Sequence, residues 1–467
     1  MILILYEWMC GAGDRVFEMT SSFSFFSELG ERISTRTARV STVGLGYVGL
    51  PLALTISEAG FPTLGVDLNS ARVADINAGR RVISYFPEDR IARAVDTGRF
   101  AATDDATRLA EADIILICVP TPLSVARDPD MTYVVRAAET VAAHLRPGQM
   151  VVLESTVWPG ATARVVRPIL ERSGLRAGAD FFLGFSPERE DPGNHRFGTR
   201  DIPKIVGADD KHSRELLAQF YSCIVTEAVP VSSSATAEAV KLVENSFRTV
   251  NIALVNEMKD ALDAMGVDVW EVVRAAATKP FGYMPFYPGP GIGGDCIPVS
   301  PVYLSWRARD VGSETPLIDL ARSTNETAPD RIAGRVAVEL AKHGGVAVKG
   351  ARVLILGIAY KKNVEDTRES PALYALNRLE EMGAICDYHD PYFPVMPLTR
   401  DHAMLAGRRS VMLTAQAVAG YDAVLVTTDH TDVDYPLVAG SARLILDTRN
   451  VFQAQSITVP DGRLIKI

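Results

Sequence analysis

Apolar and polar residues follow two periods along this chain, one suited to buried strands and one to helices. Arg39-Val-Ser-Thr-Val43 reads as a buried strand, Gly44-Leu-Gly-Tyr-Val-Gly49 as a turn, and residues 50–59 as a helix. Phe61-Pro-Thr-Leu-Gly-Val66 makes a second strand ending at Asp67, with further strand signals over 114–119 and 150–153. Residues 236–265 read as one long helix, apolar at helical spacing and free of proline. Glycine and proline then dominate 280–301, and Gly344-Gly345 opens a second α/β run with strands over 352–356, 384–388, 423–426 and 443–446. Strands alternating with helices predict parallel sheets covered on both faces. The expected architecture is α/β, two parallel-sheet domains joined by a long central helix. Residues 1–36 lack convincing periodicity and read as an unstructured or mis-started extension, with Met19 as a candidate start.

The glycines Gly44, Gly46 and Gly49 fit GxGxxG, a weak signal in isolation. Here the motif follows a strand, opens a helix and precedes an acidic residue, Asp67, by 18 positions. Gly44 serves the tight turn, Gly46 lets a pyrophosphate approach, and Gly49 permits close helix–strand packing. The helix N-terminus supplies amides for the phosphates. Asp67 can accept from ribose hydroxyls and would repel a 2′-phosphate, so the expected cofactor is NAD in a Rossmann-like domain. Val119-Pro-Thr-Pro122 and Glu154-Ser-Thr-Val-Trp-Pro159 fall where the sheet's carboxyl edge meets a ligand, and each reads equally as a proline-bounded turn. Thr121 and Thr156 offer hydroxyls there.

A second glycine loop, Tyr287-Pro-Gly-Pro-Gly-Ile-Gly-Gly-Asp-Cys296, presents one cysteine at its end. Four glycines in six residues allow close backbone approach to an anionic ligand. A buried thiol after a tight turn is the alternative.

Composition narrows the class. The 467 residues are 47% hydrophobic and 22% charged, a soluble globular profile too long for one core. Lys and Arg number 48 against 57 Asp and Glu, a net charge of -9 that argues against a nucleic-acid partner. Five scattered cysteines without a CxxC pair exclude the usual zinc spacings, so no metal is expected, and they suit a reducing cytoplasm. No apolar run reaches the ~18 residues of a membrane span.

With these motifs assembled, the chain resembles the UDP-glucose/UDP-N-acetylhexosamine 6-dehydrogenase family. The resemblance rests on Gly44-Leu-Gly-Tyr-Val-Gly-Leu-Pro51, Val119-Pro-Thr-Pro122, Glu154-Ser-Thr-Val157 and Ser186-Pro-Glu-Arg-Glu-Asp-Pro-Gly-Asn194. It continues through Lys241-Leu-Val-Glu-Asn245, Gly293-Gly-Asp-Cys-Ile-Pro298 and Asp366-Thr-Arg-Glu-Ser-Pro371. The form of the Ser186 segment is most like the UDP-N-acetyl-D-glucosamine 6-dehydrogenases. The resemblance implies a double oxidation of a sugar C6 alcohol to the acid, with two NAD and one water, for surface polysaccharide precursors. The sister substrates are UDP-glucose, UDP-N-acetylmannosamine and UDP-N-acetylgalactosamine; a catalytically impaired homologue binding NAD and UDP-sugar is the reading from another class.

Residue by residue, the resemblance makes Cys296 the nucleophile and Lys241 with Asn245 the stabilisers of charge on the C6 oxygen. Glu188 and Thr156 serve an ordered water. Tyr47, Val48, Arg72 and Pro120 join Gly44, Gly46, Gly49, Asp67, Thr121 and Thr156 as cofactor contacts. Arg189, Tyr287, Gly291, Gly293, Lys361, Arg368 and Arg449 join Glu188, Lys241 and Asn245 around the UDP-sugar. Without the flanking motifs, Lys241 and Asn245 read as exposed helix groups, Glu188 to Asp191 as a solvated loop, and Lys361, Arg368 and Arg449 as surface salt bridges. The implied domains are NAD-binding over 37–230, a central helical dimerisation domain over 231–343 and UDP-sugar-binding over 344–467, with a cytoplasmic homodimer or dimer-based oligomer as the assembly. Where the family has an aspartate four residues after its cysteine, this chain has Ser300, which implies a slower enzyme.

Overall fold

The structure is a computed structural model that describes residues 24–83, 86–87, 89–124, 126–191, 196–294 and 297–467. Its residues group into two compact units, Met1–Glu244 with Val302–Val311, and Asn245–Pro301 with Gly312–Ile467. The helix Ser234–Ala264 passes from the first unit into the second.

In the first unit, among the described residues, eight strands form one sheet. They are β1 (Val40–Val43), β2 (Thr63–Val66), β3 (Phe100–Thr103), β4 (Ile114–Ile117), β5 (Met150–Leu153), β6 (Phe182–Phe185), β7 (Lys204–Gly207) and β8 (Ala228–Val231). Their order is β3-β2-β1-β4-β5-β6-β7-β8, parallel throughout except where β7 runs against β6. The chain turns from one side of the sheet to the other at β1 and β4. A topological switch of this kind opens a crevice at the strands' carboxyl ends. Every residue of β4 and β5 is buried, as a sheet covered on both faces requires.

The expected extension is ordered in part. Residues 24–34 are helical, and Leu29 and Ile33 are buried in the same core as Val40, Leu52, Ile114 and Phe220. The aromatic Phe25 and Phe26 pack at its margin. Arg32 reaches the buried Asp113 at 3.0 Å, where Arg146 also binds at 2.7 Å. The apolar spacing 25, 29, 33 is a narrow helical stripe, and Ser27, Gly30 and the charged residues between its members obscured it. Residues 1–23, including the proposed start at Met19, lie outside the described residues.

The second unit holds β9 (Arg352–Leu356), β10 (Ile385–His389), β11 (Ala423–Val426), β12 (Ile445–Asp447) and β13 (Leu464–Lys466). Among the described residues these form one parallel sheet, ordered β10-β9-β11-β12-β13. Its switch point lies between β9 and β11. Gly357 turns the chain there at φ 83°, and a Cβ would stand 2.4 Å from the Thr428 carbonyl oxygen.

Removing residues 1–18 is expected to leave the unfolding transition unchanged. Ile33→Ala should lower stability by about 2–5 kcal/mol, the usual cost of emptying a buried aliphatic site. Denaturant unfolding checks both, and an unaltered Ile33→Ala transition would show that the 24–34 helix contributes nothing to the core.

Candidate active site

The glycine loop after β1 is built by exclusion. Gly44 has φ 93°, and a Cβ on Gly49 would lie 1.8 Å from the Gly44 carbonyl oxygen, so neither position accepts a side chain. Nothing lies within 4 Å of the Cβ position of Gly46, which leaves the loop's outer face open to an approaching phosphate. Asp67, just past β2, accepts from the Leu45 amide at 2.8 Å and the Asn69 amide at 2.9 Å. Arg72 donates to the Leu45 carbonyl at 3.0 Å. Both expected cofactor residues therefore hold the loop's shape from the side where a ribose would lie. These features fit NAD. Tyr47 is exposed, and Val48 lines a small cavity with Leu52, Glu188 and Glu190.

Next along the crevice, Pro120 is exposed, Thr121 and Thr156 half-buried. The two turns that carry them are fastened by Ser155, whose hydroxyl accepts from the Val119 amide at 3.0 Å and donates to its carbonyl at 2.7 Å. Tyr303 donates to the Thr121 carbonyl at 3.1 Å, and Trp158 packs against Trp306 with centroids 4.8 Å apart. Beneath them, Glu154 is buried against Lys204 at 2.5 Å and accepts from the Tyr221 hydroxyl. Burial pushes the Glu154 carboxyl up, and Lys204 pulls it back. The sequence reading had none of Ser155, Lys204, Tyr221 or Tyr303.

Three residues beyond β6, Glu188 meets Lys241 of the long helix, Oε2 to Nζ, at 3.5 Å. Lys241 is 5% exposed, so it is no surface lysine. Arg189 braces this segment, bonding Glu244 at 2.5 Å and the Pro203 carbonyl at 2.6 Å. Glu190 gives its amide to Glu188 and accepts from the Thr199 hydroxyl. Burial, then the charge of Glu188, pushes the Glu190 carboxyl up to about 7.

In the second unit, Asn245 is buried and donates to the Ser300 hydroxyl at 2.8 Å. Ser300 is wholly buried at the start of the helix Ser300–Asp310. Cys296 and Asp295 lie outside the described residues, while the loop on either side is tightly held. Asn256 accepts from the Gly289 amide at 3.0 Å, and Tyr287 stacks on Trp270 at 5.6 Å. Gly291 has φ 133°, in the left-handed region that favours glycine, and a Cβ on Gly293 would stand 2.6 Å from Cβ of Tyr360 and 2.7 Å from the Glu369 carbonyl oxygen.

Around the second sheet's switch point, Asp390 accepts from the Ile358 amide at 2.7 Å and from His430 Nε2 at 3.0 Å. His430 Nδ1 accepts from the Asn363 amide at 2.9 Å. This frame fixes the turn bearing the half-buried Lys361. Arg449 donates to the Thr427 carbonyl at 2.8 Å. Arg368, in contrast, is exposed and paired with Asp366 at 2.6 Å, as a structural ion pair would be.

Residues 38–225 match the NAD binding domain of the UDP-glucose/GDP-mannose dehydrogenase family, 235–327 its central domain and 354–454 its UDP binding domain. The chain belongs to this family. It is 33% identical to the UDP-N-acetyl-D-mannosamine dehydrogenase of Pyrococcus horikoshii, over 89% of this chain and 96% of that protein. It is also 33% identical to the UDP-N-acetyl-D-glucosamine 6-dehydrogenase of Pseudomonas aeruginosa, over 84% and 91%. The solved structure of the UDP-N-acetylmannosamine dehydrogenase from Pyrococcus horikoshii superposes with a TM-score of 0.80 over 88% of this chain and 96% of that one. The NAD binding domain thus falls in the first unit and the UDP binding domain in the second. Among the described residues no helix is long and apolar enough to cross a membrane.

Glu190 yields a pH prediction. A carboxyl raised from 4.5 to about 7 stabilises the fold fully below 4.5 and loses that contribution as pH rises through about 7. Glu190→Gln, which keeps an acceptor for Thr199, should flatten that decline and gain on the parent protein above neutrality. Parallel stability–pH curves for the two proteins would refute this.

Proposed function

We propose that this chain oxidises the C6 alcohol of a UDP-N-acetylhexosamine, UDP-N-acetyl-D-glucosamine first among them, to the uronic acid. The observation that carries the reading is the buried Lys241–Glu188 pair at the carboxyl edge of the first sheet. It joins a cation able to stabilise an oxyanion to a carboxylate able to move a proton. NAD, bound twice in succession, supplies the hydride acceptor. Lys241, with Asn245 one turn along the helix, stabilises negative charge on the C6 oxygen.

Loss of hydride from C6, with the hydroxyl proton passing to the water held by Glu188 and Thr156, gives the aldehyde; the Cys296 thiolate then adds to the aldehyde carbon, forming a C–S bond while the carbonyl electrons move to oxygen. Loss of hydride from that carbon leaves a thioester. Water attacks the thioester carbon, its proton passes to Glu188 through the water held with Thr156, and the C–S bond breaks to return the thiolate. Ser300 holds Asn245 by a neutral hydrogen bond where relatives carry a carboxylate, which makes this step slower. A second reading, UDP-N-acetyl-D-mannosamine, has support from the similarity to the Pyrococcus horikoshii protein. The two sugars are epimers that differ only in the orientation of the acetamido group at C2, and pocket shape decides between them.

NADH formation from a panel of UDP-sugars tests the reading, with UDP-N-acetyl-D-glucosamine expected to turn over fastest. A higher rate with the mannosamine sugar would favour the second reading, and silence with every sugar would leave a binding homologue. Cys296→Ser should make no uronic acid; full production by that variant would remove the thiol from the scheme.

The same reading includes a cytosolic homodimer assembled on the long helix, whose Val243, Phe247 and Leu254 are exposed at 59%, 48% and 52%. These positions recur at helical spacing, and an apolar stripe left open to water favours a second copy. Sedimentation should find at least a dimer at assay concentration, and a monomer alone would contradict it.

A further inference from the structure

One buried carboxylate at the first sheet's edge has no task in the reaction just described. Glu238 is wholly buried one turn before Lys241 on the long helix. It accepts from the Gly160 amide, from the Thr162 amide at 2.8 Å and from the Thr162 hydroxyl at 2.6 Å. No ion pair to it is found among the described residues. Burial raises its pKa, while the Thr162 and Gly160 contacts, with three donors aimed at two oxygens, favour the charged form. The free amides it satisfies open the helical stretch that follows the Thr156 turn, and its own position is in the first turns of the long helix. Negative charge is favoured at both places.

The covalent distance on each side is short. Thr156 lies four residues before Gly160, and Lys241 lies three residues after Glu238. We infer that Glu238 is a positioning residue, locking the helix that carries Lys241 to the turn that carries Thr156. Lys241 Nζ is thereby kept at its 3.5 Å separation from Glu188. The lock acts on the helix backbone, because a long lysine side chain holds its place only if its root is fixed. This inference rests on the proposed reaction, in which Lys241, Glu188 and Thr156 act on the same carbon.

The test compares Glu238→Gln and the milder Thr162→Val, which removes only the hydroxyl donor, with the parent enzyme. A misplacement of this kind can cost on the order of 10²-fold in rate. We expect kcat to fall by about 10-fold or more for Glu238→Gln and by a few fold for Thr162→Val, with KM for both substrates and the Kd for NAD within about twofold. In a Lys241→Met background, Glu238→Gln should cost little further, because a residue acting through Lys241 is not additive with it.

Unchanged kcat in the soluble Thr162→Val protein would overturn the inference, even if Glu238→Gln failed to fold. So would full additivity with Lys241→Met, or NAD affinity lost in proportion to kcat. Parent enzyme silent with every UDP-sugar would overturn the proposed reaction and this inference together. An active parent with unaffected variants would overturn this inference alone.

Discussion

The long helix is fixed in rotation by a stripe of buried polar groups, and the placement of the chemistry follows from that. Glu238, Lys241, Asn245, Thr249, Asn256 and Lys259 recur at spacings of three, four and seven, and all are buried. Burying such groups costs several kcal/mol apiece unless each finds a partner. In the first unit the partners are Thr162 for Glu238 and Glu188 for Lys241. In the second they are Ser300 for Asn245, Gly289 for Asn256 and the Lys466 carbonyl for Lys259. A slip of one residue turns the stripe by about 100° and leaves every one of them unpaired. The helix therefore has one permitted orientation.

The two sheets solve the same problem by different means. Each brings ligand-facing turns to the carboxyl ends of parallel strands at a topological switch. In the first, Gly44 and Gly49 let the loop fold closely on itself, and Gly46 leaves its outer face open to a dinucleotide. In the second, Gly357 is retained, and Asp390 with His430 supplies the rigidity that a glycine-rich loop lacks. A histidine between a carboxylate and a backbone amide holds this turn.

Much of this was legible in the sequence. Buried strands such as Ile114–Ile117 and Met150–Leu153 announce themselves because every residue is apolar. The glycine loop is readable because its flanking strand, helix and acid are local. The strands β3, β6, β7 and β8 are no shorter than β4 and β5, but Thr103, Gly184, Lys204 and Pro230 break their apolar runs. The helix over 24–34 hid behind Ser27, Gly30 and the charged residues of its stripe. Ser155, Lys204, Tyr303 and His430 were invisible for another reason: their partners are 36 to 182 residues away in the chain, and no local pattern encodes that distance. Glu238 was the hardest, since an acid on an amphipathic helix ordinarily faces water.

The glycines of the loop near Tyr287 are also of two kinds. Gly291 is required by its backbone angles, whereas Gly289 is required by what lies across from it. A Cβ there would come within 2.5 Å of the Arg449 guanidinium, whose Nε is engaged with the Thr427 carbonyl. A single methyl at 289 must shift the far end of that arginine without altering any charge. A chain lacking the arginine could carry alanine at 289 freely. Positions 289 and 449, separated by 160 residues, thus compete for one space: what a side chain at 289 would take, the guanidinium already fills.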